Sequence, residues 1–211
     1  MRTCGPSRRS NVQRLFECPR ANVRSSSDLV RYCAGVMATD HVTRVERAFA
    51  FLDISGFTKY TDREGDAAAV TQLATFRTIV RDVASSFGVR IDKWLGDGVM
   101  CVGVETTPLI EAVIEICVQL EKSDFPLPLR AGMAGGQVIL FEAEDYIGTP
   151  VNMASRLCND AAPGQILVTA DIADHAPNHI DRVEMGATHL RGLAEPVPIV
   201  CLSPVGGKVG A

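Results

Sequence analysis

The sequence predicts an α/β (α+β) sandwich, with one mostly antiparallel sheet and helices packed on one face. Three observations lead there. Apolar residues make up 46% of the 211-residue chain and charged residues 22%, the balance of a globular protein with a core. Short apolar runs of strand length alternate with segments of helical period, in the order β-α-β-β-α-β, without internal repeats. One pair of strands is joined by a tight Asp-Gly turn, the signature of a hairpin.

Taken in order, AFAFLDI (48–54) is apolar, aromatic-rich and short, and Ser55-Gly56 follows, so it reads as a buried strand ending in a turn. Residues 63–87 read as a helix, with Leu73, Phe76, Val80 and Val83 at helical spacing and Arg77, Arg81 and Asp82 among them. VRIDKWL (89–95), GDG (96–98) and VMCVGV (99–104) form the hairpin. Residues 109–120 suit a helix buried along most of one side, and 127–143 read as strand, glycine-loosened turn and strand. VNMASRLCNDA (151–161) is a helix closed by Pro163-Gly164. ILVTA (166–170) is a strand, 170–176 a short helix, and 180–202 holds two or three further strands.

The net charge is −4, unevenly spread: residues 1–36 carry seven Arg against Glu17 and Asp28. Such a basic arm suits nucleic acid or anionic lipid, but scattered apolar residues and Ser25–Ser27 read more simply as a disordered arm. The organisation expected is an arm over 1–46, one domain over 47–204 and a flexible tail over 205–211. No apolar run approaches the ~20 residues of a membrane span, and the first forty residues lack the apolar core of a secretory leader. Seven cysteines without a CxxC argue against a disulfide framework and a zinc site, so a reducing cytoplasm is expected, with neither membrane nor nucleic acid as partner.

Chemistry concentrates at a few positions. Asp53 ends a strongly apolar strand, where a carboxylate is costly unless paired or metal-bound. Ser55, Gly56, Phe57 and Thr58 turn the chain toward a helix whose leading N–H groups favour phosphate; a helix cap needs the same residues. Asp97 sits at the hairpin tip, where Asp is also an ordinary turn residue. If the two strands are neighbours, both carboxylates converge, and at ~4 Å they repel by about 4 kcal/mol at an effective dielectric near 20. That favours a divalent cation, and oxygen ligands select Mg²⁺ or Mn²⁺. Asn152 and Arg156 share one helix face, either solvated or presented to a ribose and a phosphate. Lys93 and Asp145 offer a donor and an acceptor, as an adenine edge requires for N1 and the 6-amino group; the bland alternative is a surface ion pair. Arg130 and Arg191 are further cations beside glycines.

Together these residues resemble the catalytic domain of the class III nucleotide cyclases, from about 47 to 203. FLDISGFT (51–58) is similar to that family's first metal motif, KWLGDGVM (93–100) to its lysine and second-metal motif, and DYIGTPVNMASRL (145–157) to its aspartate and Asn-x-x-x-Arg block. The resemblance implies a ferredoxin-like, palm-type βαββαβ core. It implies two divalent ions on Asp53, Asp97 and the Ile54 carbonyl, and adenine selection by Lys93 and Asp145. Asn152 would orient the ribose, Arg156 would stabilise charge at the α-phosphate, and Arg130 and Arg191 would meet the triphosphate. The expected reaction converts ATP to cyclic AMP, in a homodimer whose two sites are each shared between subunits. Two features depart from the family pattern: Arg191 stands where lysine is common, and the segment from Val138 to Asp145 is short. A guanylate cyclase, or a cyclase-like module that binds nucleotide without turnover, are the competing readings. The LGDGVM segment (95–100) lacks the GGDEF signature of diguanylate cyclases.

Overall fold

A computed structural model describes residues 43–142 and 145–204. Most of the expected arm, and the tail, lie outside the described residues. The first strand, β1 (Thr43–Ile54), starts within the stretch assigned to the arm, so residues 43–46 are strand. The remaining strands are β2 (Arg90–Leu95), β3 (Gly98–Gly103), β4 (Leu129–Phe141), β5 (Asp145–Ile147), β6 (Ile166–Thr169), β7 (Ile180–Thr188) and β8 (Val197–Pro204). The helices are α1 (Phe57–Glu64), α2 (Asp66–Ser86), α3 (Thr106–Lys122), α4 (Thr149–Asp160) and the one-turn α5 (Ala170–Ala173).

The sheet runs β2-β3-β1-β4-β6-β8-β7, with β5 paired to the end of β4. Among the described strands only β4 and β6 pair in parallel; the other pairs are antiparallel. The mixed architecture and mostly antiparallel sheet are those the sequence predicts.

Alternation along β1 divides the core. Ala48, Ala50, Leu52 and Ile54 face a layer built from Phe76 and Val80 of α2, Leu109, Val113 and Ile116 of α3, and Ile172 of α5. Phe49 faces the other way, against Met100, Val102, Ala134, Val138 and Ala154 of α4. Helices therefore cover both faces, not one. The second layer depends on Gly132 of β4. A Cβ there would stand 2.1 Å from the Cys158 nitrogen and 2.3 Å from the Ala154 carbonyl oxygen, so α4 rests on the strand backbone to backbone.

Two further expectations are corrected. The helix predicted over 63–87 is two helices, broken at Gly65, whose φ of +86° is costly for other residues. The strand–turn–strand over 127–143 is one strand of thirteen residues. Gly135 and Gly136 stay within the strand because the β1 ladder runs unbroken from Thr43 opposite Leu140 to Ile54 opposite Leu129, with Gly136 at a φ of +138° that glycine tolerates.

At one edge of the sheet, β2 carries a bulge between Ile91 and Lys93 and a buried, inward-pointing Asp92 near Arg90. Both features discourage another strand from adding there. Among the described residues no helix is long and apolar enough to cross a membrane.

Candidate active site

Asp53 closes the apolar run of β1, and the register fixes its neighbours: Gly98 of β3 on one side and Arg130 of β4 on the other. Arg130 donates from Nε (2.9 Å) and Nη2 (2.7 Å) to Asp53 Oδ2, and from Nη1 to the Asn159 carbonyl at the end of α4 (3.1 Å). The two side chains keep 27% and 29% exposure, so the pair is half withdrawn from solvent but open on one side. Asp97 precedes Gly98 in the hairpin turn. Burial raises its carboxyl above the ordinary value of 3.8; its own backbone N–H opposes that, the Asp53 charge adds to it, and Arg130 lowers it.

These residues line one cleft of about 520 Å³, with Ile54, Ser55, Gly56, Phe57, Thr58 and Lys59 along its wall. The predicted convergence of Asp53 and Asp97 is thus observed. One detail differs: the Ser55 N–H is taken by the Pro128 carbonyl (2.9 Å), so Ser55 offers its hydroxyl instead. That Oγ is buried and has no hydrogen-bond partner. The N–H groups of the first turn of α1 lack intrahelical acceptors and belong to the same wall.

Two carboxylates, a backbone carbonyl and an orphaned hydroxyl make a hard-oxygen donor set, which fits Mg²⁺ or Mn²⁺. No group of three or more His, Cys, Asp or Glu comes together among the described residues, so backbone and substrate oxygens would have to complete the coordination. Cys158 lies beside the cleft, but burial holds its thiol up at about 12, outside the range of a nucleophile at neutral pH.

The other predicted residues form two separate groups. Lys93 of β2 and Asp145 of β5 are ion-paired to each other. Arg156 of α4 lies over the turn at Gly192, where a Cβ would be 3.1 Å from its Nη2, which brings it next to Arg191 in the chain. Asn152 is exposed one turn earlier on α4. None of Lys93, Asp145, Asn152, Arg156 or Arg191 lines the Asp53 cleft. Sequence reasoning missed the direct Arg130–Asp53 pair and the bond from Arg77 to the hairpin turn. The only available signal for Arg77 was a charged residue among the apolar positions of a buried helix.

Comparison with known proteins gives the family and the fold. Residues 41–202 match the adenylate and guanylate cyclase catalytic domain. The chain belongs to that family. An uncharacterized protein of Mycobacterium tuberculosis is 35% identical over 166 residues, covering 79% of this chain and 43% of that protein. A pH-sensitive adenylate cyclase of the same species is 33% identical over 130 residues, covering 59% of this chain and 31% of its own length. The chain thus spans less than half the length of these relatives. Among solved structures, the adenylyl cyclase CyaB from P. aeruginosa superposes with a TM-score of 0.67 at 25% identity, over 76% of this chain and 94% of that one. The guanylyl cyclase Cya2 shares the fold at 20% identity, with a TM-score of 0.66 over 81% and 96%.

Proposed function

We propose that this chain is an adenylate cyclase catalytic domain that converts ATP to 3′,5′-cyclic AMP and pyrophosphate as a homodimer with two shared sites. The observation that carries the choice of base is the Lys93–Asp145 pair. An ammonium donor and a carboxylate acceptor held side by side match the N1 and 6-amino positions of adenine, whereas guanine presents the opposite polarity.

Asp53, Asp97 and the Ile54 carbonyl would hold two divalent ions, which when bound supply a lowered pKa at the ribose 3′-hydroxyl and neutralisation of the triphosphate. The wall at Ser55–Thr58 and Arg130 receive the terminal phosphates. Asn152 orients the ribose for in-line attack of O3′ on the α-phosphorus. Arg156, with Arg191 beside it, balances the charge that grows as the P–O bond to pyrophosphate breaks. The hydroxyl proton leaves to solvent, and no protein nucleophile takes part.

The separation of Lys93, Asp145, Asn152 and Arg156 from the Asp53 cleft supports a site completed by a second copy of the chain. The test is turnover of ATP and of GTP by the purified chain, each with Mg²⁺ and with Mn²⁺, beside Asp53→Ala and Asp97→Ala. Cyclic AMP from the parent chain and none from either variant is the expected result. Preference for GTP overturns the adenine assignment, and full activity in both variants overturns the metal assignment.

A further inference from the structure

The turn that carries Asp97 is held from outside the cleft. Leu95 pairs with Gly98, so the hairpin loop is only Gly96 and Asp97, with Gly96 at φ +71° as such a tight loop demands. Arg77 of α2 donates from Nη2 to the Gly96 carbonyl (3.2 Å). The Gly96 carbonyl belongs to the peptide group that leads into Asp97, so the guanidinium holds the plane from which the Asp97 side chain departs.

Arg77 is itself fixed. Its guanidinium lies 5.0 Å from the ring centre of Trp94, which Arg81 also approaches at 5.2 Å, and Phe76 meets the same indole edge-on at 6.3 Å. The rotamer entropy of a long side chain is thus spent in packing before the turn is engaged.

We propose that Arg77 is a positioning residue for the cyclase reaction: through the Gly96 carbonyl it sets the peptide plane, and hence the direction, of the Asp97 carboxylate. The proposal rests on the reading of Asp97 as a metal ligand. Trp94 is the one tryptophan in the sequence, so its emission reports the hairpin directly.

The test is a titration of Mn²⁺ into the nucleotide-free full chain, reading free Mn²⁺ by electron paramagnetic resonance and the hairpin by Trp94 fluorescence. Arg77→Met keeps an apolar cover on the indole but removes the charged donor, and is expected to weaken Mn²⁺ binding about tenfold. Arg77→Lys, which can still donate to the carbonyl, should bind closer to the parent than to Arg77→Met. Thermal midpoints show which variants are folded, and Arg77→Leu, which also lacks a donor, replaces Arg77→Met if the latter is not. Parent-like Mn²⁺ affinity in the folded Met or Leu variant, while Asp97→Asn has lost binding, overturns the positioning role and leaves the Asp97 reading standing. Parent-like affinity in Asp97→Asn overturns that reading, and the proposal with it.

Discussion

Arg130 gives two hydrogen bonds to a single oxygen of Asp53, Oδ2, while Oδ1 is turned toward Gly98, where a Cβ would stand 3.3 Å from it. The guanidinium occupies half of the carboxylate and leaves half for another cation. Arg130→Gln is therefore expected to tighten Mn²⁺ binding to the nucleotide-free protein several-fold, because a competing charge is removed. The same substitution should raise KM for ATP, on the order of tenfold, by removing a charged donor to phosphate. Paramagnetic resonance and steady-state kinetics on one preparation read both; movement of the two in the same direction contradicts the dual role.

The raised Asp97 carboxyl makes stability depend on pH. Burial and the Asp53 charge let the native chain keep this proton to a higher pH than the unfolded chain, whose value is near 3.8. Across that window the native state binds more protons, so stability falls as pH rises through it and stays lower beyond. Asp97→Asn should accordingly raise the thermal midpoint of the metal-free protein at neutral pH, with the advantage fading as the pH drops below the ordinary carboxylate range. Paired thermal scans from acid to neutral pH check this, and an advantage that grows in acid would contradict the sign.

Gly132→Ala tests the close seat of α4. The added methyl meets backbone atoms of Cys158 and Ala154, which cannot rotate away. Overpacking of this kind costs about 1–3 kcal/mol where side chains can yield, and a larger loss is expected here, since the obstacle is peptide. Urea unfolding measures it, and a loss below about 1 kcal/mol would show that the helix can lift.

Reversing the polarity of the Lys93–Asp145 pair tests its role in base choice. The Lys93→Glu, Asp145→Lys double substitution preserves an ion pair while exchanging donor and acceptor. The ratio of kcat/KM for ATP over GTP should fall by at least about tenfold, since unmatched hydrogen-bonding groups discriminate strongly. An unchanged ratio means that another part of the site selects the purine.

Sharing of the site between subunits has a mixing test. Asp53→Ala and Asn152→Ala chains, each inactive alone, should regain part of the activity when combined, because one of the two sites in a mixed dimer is intact. Verified mixed dimers without activity exclude that division of labour.

Much of this was legible in the sequence because it is local. The apolar run before Asp53, the Asp-Gly hairpin and the helical period of 151–161 each depend on residues a few positions apart, and each appears where expected. Local text misled where a distant partner decides. Gly135-Gly136 has the composition of a turn, yet pairing with Arg47 and Ala48 keeps it within the strand. Gly132 looks like any other glycine until Cys158 is set against it. The convergence of Asp53 and Asp97 followed from two motifs, whereas the grip of Arg130 on Asp53 follows from strand register, which no single motif encodes.

The contact between α4 and β4 also fixes a length. Side chains adjust by rotating, so a layer of them yields when a neighbour changes; two peptide backbones in direct touch do not. Arg130 on the strand and Asn152 and Arg156 on the helix are therefore spaced by direct contact of two backbones, without an intervening layer of side chains. Substitutions elsewhere in the core can alter how stable the domain is, but this interval stays constant as long as Gly132 does.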